Sequence, residues 1–464
     1  MKILKSKTSI LSAMISVFLT LFLLEPAPVF SQSIVSSFPV PFYRVQDLAV
    51  NPETNTIFIV SEQALWCIDG DTNTITASLP YDTNVISVGV NPVTNRIYVG
   101  VGKYPEAEII VLDGQSLNQV ASILMTKPHF PSDITVNTND NKIYVTNSGM
   151  VSGAGIGRHV TIIDGSTNEI IKILDVGYYP GSLDFNPTTN RIYFTKSIFQ
   201  GYVKVIDGSS DCIIASIRIP GYPNGPEDLA VNEATNKVLV TQDSWENIYS
   251  INGETNSFDC FIPLSTKRLG VNPLTNHVYA LDYWNKLFYI IDGDNYSVIE
   301  EISIHPYRVD DLVVNAVTGR IYIYGTYGLD YRIIVIQDEV PVHTVQIDIK
   351  PGSSPNSINL GDQGLLPVAI LGSMDFDVGE INPETVEIGG ITLAKRGSAK
   401  APKLAFSYED VNSDGYLDMM TFFEVQTLVS DGTLTETTTG LEINAHLNDG
   451  RLIEGTDSVN IVNF

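Results

Sequence analysis

Apolar residues in this chain come in short runs, and most runs are closed by Asn, Asp, Gly or Pro. Residues 182–217 show the pattern: "SLDF", the turn "NPTTN", "RIYFT", a loop, "VKVI", the turn "DGSSD" and "CIIASI". Runs this short, rich in β-branched and aromatic residues and bounded by turn formers, predict strands. One such unit holds four strands, a to d, with tight turns between a and b and between c and d.

The unit repeats. Its first turn begins at Asn51, Asn91, Asn137, Asn186, Asn232, Asn272 and Asn315, at intervals of 40, 46, 49, 46, 40 and 43 residues. A second phrase follows each copy, from "CIDG" at 67 to "IIDG" at 290, and is reduced to "VIQD" at 335. Four short strands recurring at that period predict the blades of a β-propeller, here seven. The last turn residue is Asn55, Asn95, Asn141, Asn190, Asn236, Asn276 or Gly319. Asn and Gly share a tolerance for the left-handed conformation, so a positive φ is expected at each, and the turn is structural. On strand a, most residues facing the axis are small (Ala49, Gly89, Thr135, Ala230, Gly270), as a crowded central channel requires. Residues 34–38 resemble a strand d that precedes the first strand a. They are expected to complete the seventh blade and so remove its open edge.

Beyond residue 340 the repeat stops. "LLPVAILG", "TVEIGGITL", "KLAFSYEDV", "LDMMTFFEV", "TGLEINAHL" and "DSVNIV" are strand-like runs separated by turn residues. Residues 341–464 therefore predict an all-β sandwich after a propeller at 32–340. Within it, "DVNSDGYLD" places Asp410, Asn412 and Asp414 at positions 1, 3 and 5, with Gly415 at the bend. The Tyr416 carbonyl and Asp418 follow at positions 7 and 9. Hard oxygen donors at that spacing suit Ca²⁺. Position 12 is Thr421 rather than Glu, so Asp375, Asp377 or Glu409 would have to complete the shell; the alternative is an Asx-rich turn.

At the N-terminus, Lys2, Lys5 and Lys7 precede the apolar run Ile10 to Leu24, which is short for a membrane span. Residues 1–31 read as a secretory signal peptide, and no later segment is apolar enough to span a bilayer. The chain is therefore expected to be secreted or displayed at the cell surface, or to lie in a periplasm. Residues 1–31 carry three Lys and one Glu, so their removal takes the formal charge from −26 to −28. That balance excludes nucleic-acid binding, which needs clustered Lys and Arg. Three Cys are too few for a disulfide framework, so stability must come from the core.

"KIYVTN", residues 142–147, carries a resemblance to the YVTN-type β-propeller repeats of surface-layer-type and secreted proteins. The resemblance covers about residues 34–340 and implies the propeller fold. The set "IDIKPGSSPNSIN", "PVAILGSMDFDV" and "EDVNSDGYLDM" resembles a C-terminal module of many secreted bacterial and archaeal proteins.

The a–b and c–d turns are stereotyped, whereas the b–c and d–a connections vary, and variable insertions on one face of a repeat array mark a binding face. Those connections carry Tyr178, Tyr179, Tyr222, Trp245, Tyr283 and Trp284, rings suited to stacking on sugars or gripping a polymer, or else to packing between blades. At the starts of strands a, Asp47, Asp133, Asp228 and Asp311 would ring the channel mouth. There they could hold a cation, hydrogen-bond a polyol or cap the strands. These candidates point to binding or scaffolding with an extracellular glycan or protein partner and no organic cofactor. The alternative is an extracellular hydrolase or lyase at the mouth, with His129 and His305 facing each other as an acid–base pair.

Overall fold

A computed structural model describes residues 34–462 apart from 104–105, 126–129, 149, 152–154, 197–200, 221–224, 243–246, 339–341, 399–400 and 449–450. The expected leader and the candidates Tyr222, Trp245 and His129 lie outside the described residues.

The short apolar runs form strands, and among the described residues those of 34–337 assemble into seven four-stranded antiparallel sheets and one two-stranded hairpin, Met150–Val151 with Gly155–Ile156. In the fourth, Pro180–Asn186, Arg191–Lys196, Tyr202–Asp207 and Cys212–Arg218 pair in chain order. The seventh departs from that order: Arg308–Asn315, Arg320–Tyr327 and Asp330–Gln337 are completed by Ile34–Pro39, which pairs antiparallel with Asp330–Gln337. Each first strand lies against the first strand of the next sheet, and the seventh lies against the first, which closes the ring. The innermost strands are crowded. A Cβ on Gly89 would stand 2.6 Å from Ile134, and one on Gly270 2.5 Å from Leu312.

The repeated turn has the conformation read from the sequence. Asn55, Asn95, Asn141, Asn190, Asn236, Asn276 and Gly319 all have positive φ, between 46° and 64°. It also has a second role that sequence alone did not reveal. The first Asn of each turn donates its side-chain amide to the last Asn of the next sheet's turn: Asn51 to Asn95, Asn91 to Asn141, Asn137 to Asn190, Asn186 to Asn236, Asn232 to Asn276 and Asn315 to Asn55, at 2.7–2.9 Å. Only Asn272 faces Gly319, which has no side chain, and it reaches the Ala316 carbonyl at 3.5 Å instead.

In sheets three, four, six and seven the basic residue and the Tyr that follow the turn make another inter-sheet clasp. Tyr193 donates its hydroxyl to the Gly253 carbonyl at 3.1 Å, with Arg191 on the same carbonyl. Tyr322 and Arg320 bind the Gly70 carbonyl in the same way and join sheet seven to sheet one.

These clasps explain the glycine of "DG". A Cβ on Gly70, Gly114, Gly165, Gly208, Gly253 or Gly293 would overlap the side-chain oxygen of the paired turn Asn. The seventh copy is therefore a compensated variant rather than a decayed one. Gly319 removes the Asn side chain, so Asp338 can occupy the glycine position, and its amide donates to the Gly319 carbonyl at 2.7 Å as the Gly70 amide does to Asn55 at 2.8 Å.

Residues 342–462 form a separate set of strands. A five-stranded sheet runs in the order Val342–Thr344, Leu452–Ser458, Gly440–His446, Glu387–Ile388, Ile391–Thr392. A four-stranded sheet runs Ile347–Ile349, Leu365–Ile370, Asp418–Glu424, Phe406–Glu409. Both contribute to one core, with Ile347, Val368 and Phe423 from the second and Ile388, Ile443 and Ile453 from the first. One α-helix, Val425–Asp431, is present among the described residues. It continues directly from a strand and ends on Gly432 at φ 92°, and its β-branched composition hid it among the predicted strands.

Candidate functional site: the mouth of the ring

Strand a of each sheet starts at one end of the ring, and in four of the seven an Asp stands four residues before the turn Asn. The placement has a local cause. Asp47 accepts the Leu48 amide with Oδ1 (2.9 Å) and, with Oδ2, the Val88 amide of the next sheet (2.8 Å). Asp133 does the same with Ile134 (2.7 Å) and Leu183 (2.9 Å). Asp228 takes Leu269 (3.0 Å) and the Ser182 hydroxyl (2.9 Å). Each carboxylate therefore ties its own sheet to a neighbour as well as facing the axis.

Asp47, Asp133, Asp228 and Asp311 converge on one cavity of about 200 Å³. Glu227 and Arg268 share it, and Arg268 stands 3.3 Å from Glu227 and 3.4 Å from Asp311. One guanidinium thus shares the cavity with five carboxylates and pairs with two of them. Deeper along the axis, Asp184 accepts the Phe185 and Val231 amides, both at 2.8 Å.

Crowding in this low-dielectric mouth disfavours the charged carboxylates. Burial pushes Asp133 up to about 7 against the pull of the Leu183 and Ile134 amides. Burial likewise raises Asp184 and Asp311 to about 6, with Arg268 drawing Asp311 back down. Asp47 is pushed well above the usual carboxylate range by burial and by the fields of Asp133 and Asp311. Burial raises Asp228 too, against Arg268. Arg268 is held above its ordinary value, because Asp228, Asp311 and Glu227 outweigh its own burial.

An acid whose folded-state pKa exceeds its unfolded value holds its proton more tightly when folded, so it favours the folded chain increasingly as pH drops through that interval. For Asp133 the interval runs from about 7 to 3.8. Asp133→Asn is expected to flatten the rise in unfolding free energy between pH 7.5 and pH 5 by on the order of 2 kcal/mol, read from urea titrations. A slope as steep as the parent's would show that the mouth does not take up this proton.

The aromatic candidates lie on connections at the same end. Trp284 is 65% exposed, and its amide donates to Asp282, which braces the turn. Tyr283 is flanked by Lys267 at 4.9 Å and Arg308 at 4.6 Å from its ring centre and meets Trp284 edge-on. Tyr178 is exposed beside Arg158, 5.0 Å from the ring, and Tyr179 follows it at φ 56°. His305 is an exposed residue 3.4 Å from Lys286 and does not line the mouth cavity. Sequence reasoning passed over Glu227 and Asp184. Asp184 had a visible signal, a carboxylate at a strand position that is small in most other copies.

In the loop 410–418, Asp410, Asn412 and Asp414 are drawn into one turn. The Asp414 and Gly415 amides each donate to Asp410 at 3.1 Å, the Asn412 amide donates to Asp414 at 2.9 Å, and Gly415 has φ 92°. Asn412 Oδ1 accepts the Asp414 amide at 3.0 Å and Asp414 Oδ1 the Tyr416 amide at 2.9 Å, so these oxygens, like both of Asp410's, bond the loop's own backbone as in an Asx-rich turn. Asp418 is fully buried, and its two oxygens accept the Gly372 and Val411 amides, both at 2.8 Å. The Asp side chains of the loop thus turn to backbone amides, and among the described residues no group of three or more His, Cys, Asp or Glu side chains is placed to hold a metal.

No protein-family model matches the chain. It is similar to the uncharacterized protein YncE of Salmonella typhimurium, 26% identical over 187 residues, which is 39% of this chain. The chain spans about half (49%) of the length of that curated relative. Among solved structures, Kuenenia stuttgartiensis hydrazine synthase aligns with a TM-score of 0.54 at 14% identity, covering 66% of this chain and 98% of that one. The β-propeller domain of Cps50 (Swd1) from Myceliophteria thermophila aligns with a TM-score of 0.54 at 11% identity, covering 67% and 100%. The ring of sheets is a β-propeller.

Proposed function

We propose that this is a secreted or surface-displayed binding protein, a seven-bladed propeller followed by a β-sandwich, whose loop face engages an extracellular glycan or protein. The carrying observation is the asymmetry of the ring. One face consists of near-identical turns whose polar side chains are spent on neighbouring sheets. The opposite face displays Trp284 and Tyr178, with cationic side chains beside Tyr283 and Tyr178, around an acidic mouth. Rigid aromatics held on braced turns supply contact area at low entropic cost. Residues 1–31 support export, and the propeller fold suits scaffolding.

The test is a glycan array probed with the chain from residue 32. Trp284→Ala and Tyr178→Ala are each expected to weaken the best-bound glycan by about 2 kcal/mol. Binding that both variants retain in full would refute the loop-face reading.

A second reading, an extracellular hydrolase or lyase, is favoured by Asp133 alone, because a carboxyl poised near neutrality suits general acid catalysis. Its two oxygens are engaged by backbone amides, which favours the binding role.

The C-terminal unit is proposed to bind Ca²⁺ through Asp410, Asn412, Asp414 and the Tyr416 carbonyl. Calcium at about 100 times its Kd would then stabilise that unit by about 2.7 kcal/mol, and Asp410→Ala would remove the effect. Melting that neither calcium nor chelator shifts would remove the site.

A further inference from the structure

A second cavity, about 350 Å³ in volume, opens on the same end of the ring over the seam between sheets one and two. Gln46 lines both this cavity and the mouth, so the two adjoin. Its polar wall is Arg44, Glu62, Gln63 and Asn84, and the half-buried Ile86 supplies apolar surface. We propose that this seam cavity is a saccharide subsite that takes an uncharged sugar extending from the mouth, a reading that rests on the loop face being the binding face.

Three observations converge on that ligand. First, the cavity is preformed. The Glu62 and Gln63 carbonyls accept the Val85 amide at 2.8 Å and the Tyr81 amide at 2.7 Å, which locks the turn 62–63 to the connection 80–85. Second, the turn is built at a cost. Glu62 occupies φ 50°, a conformation that disfavours side chains, whereas sheet seven uses Gly328, at φ 60°, in its own two-residue turn between the same strands. The Tyr43 hydroxyl donates to the Glu62 carboxylate, which fixes that side chain on the cavity wall. Third, the chemistry suits hydroxyl groups. Gln46, Gln63 and Asn84 each offer a donor and an acceptor, as a sugar hydroxyl does, and the Ile86 side chain suits the C–H face of a pyranose. Arg44 and Glu62 cancel in charge, which makes a neutral spot on a chain of formal charge −26 beside an acidic mouth. An anionic sugar would be repelled by that surrounding field.

The test measures binding of cellohexaose, mannohexaose, chitohexaose and hexagalacturonate to the chain from residue 32, alongside its unfolding midpoint. One of the neutral hexasaccharides is expected to bind. Arg44→Ala and Asn84→Ala, both at exposed positions, should each weaken it about tenfold with the midpoint unchanged. Glu62→Gly should lose affinity while the midpoint stays or rises, which a purely structural Glu62 would not do. Wild-type affinity in all three variants, while Trp284→Ala abolishes binding, would overturn the seam subsite and leave the loop-face reading standing. Preferential binding of hexagalacturonate would overturn the ligand class. Failure of every hexasaccharide to bind the parent chain would overturn the saccharide subsite and leave a protein as the partner of the loop face.

Discussion

A chain lacking residues 34–39 is expected to lose cooperative folding of the ring or to survive only as an associated species. Those residues form the outer strand of sheet seven, with Ser37 opposite Ile334, Phe38 opposite Ile333 and Pro39 opposite Arg332. Ile34 and Phe38 also pack on the cores that hold sheet seven to its neighbours. Deletion strips the backbone partners from Asp330–Gln337, whose Ile333, Ile334, Val335 and Ile336 are fully buried. An exposed apolar edge recruits other chains, and the lost ladder and burial together amount to several kcal/mol against a total of about 5–15. Urea unfolding with size-exclusion chromatography reads the outcome. A monomer with the parent's midpoint would show that the N-terminal strand does not close the ring.

Asp338→Ala is expected to destabilise the chain by about 3–5 kcal/mol, because it leaves buried polar partners uncompensated. Asp338 is 5% exposed and accepts from Thr275 at 3.0 Å, from His277 Nδ1 at 3.0 Å and from the Tyr279 hydroxyl. In other sheets the glycine carbonyl or a neighbouring Asp serves the preceding sheet's clasp, whereas here one carboxylate serves three side chains. His277 is raised by its bond to Asp338, so its share of the stability is full below its unfolded value of 6.5 and is lost as pH climbs through the raised one. Burial alone would raise Asp338, but His277 and Tyr279 hold it below its usual value, so its share is lost as pH falls through that lowered value. Asp338→Ala should therefore also remove the loss of stability above neutral pH that His277 contributes. Asp338→Gly restores the residue type of the other six copies but not the carboxylate, and it should be destabilised as well. Parent-like stability in either variant would contradict the clasp.

Much of the ring was legible because its signals are local. Turn Asn residues needing positive φ, short apolar runs and a repeat near 40–50 residues depend only on neighbours in sequence. The inter-sheet bonds were not legible in that way. Asn51 gives no hint that it meets Asn95, and only the ring geometry shows why Gly70 must lack a Cβ beside Asn55 while Asp338 may keep one beside Gly319. The mouth carboxylates were found by their position in the repeat, but their bonds to the next sheet's amides were not, since strand starts look alike whether they are solvated or clasped. The seam cavity joins a hairpin turn at 62–63 to segments near 44 and 84 that no shared motif connects. The helix at Val425–Asp431 escaped because its Val and Thr content matches the strands around it.

The loop-bearing face of the ring is the proposed working face. Hydrogen–deuterium exchange of the chain from residue 32, with and without the best-binding glycan, tests that directly. Protection is expected at Tyr43–Asp47, at Ser61–Ala64 and around Trp284, with the turns 51–55, 91–95 and 186–190 on the opposite face unchanged. Protection confined to those turns, or to residues 342–462, would contradict it.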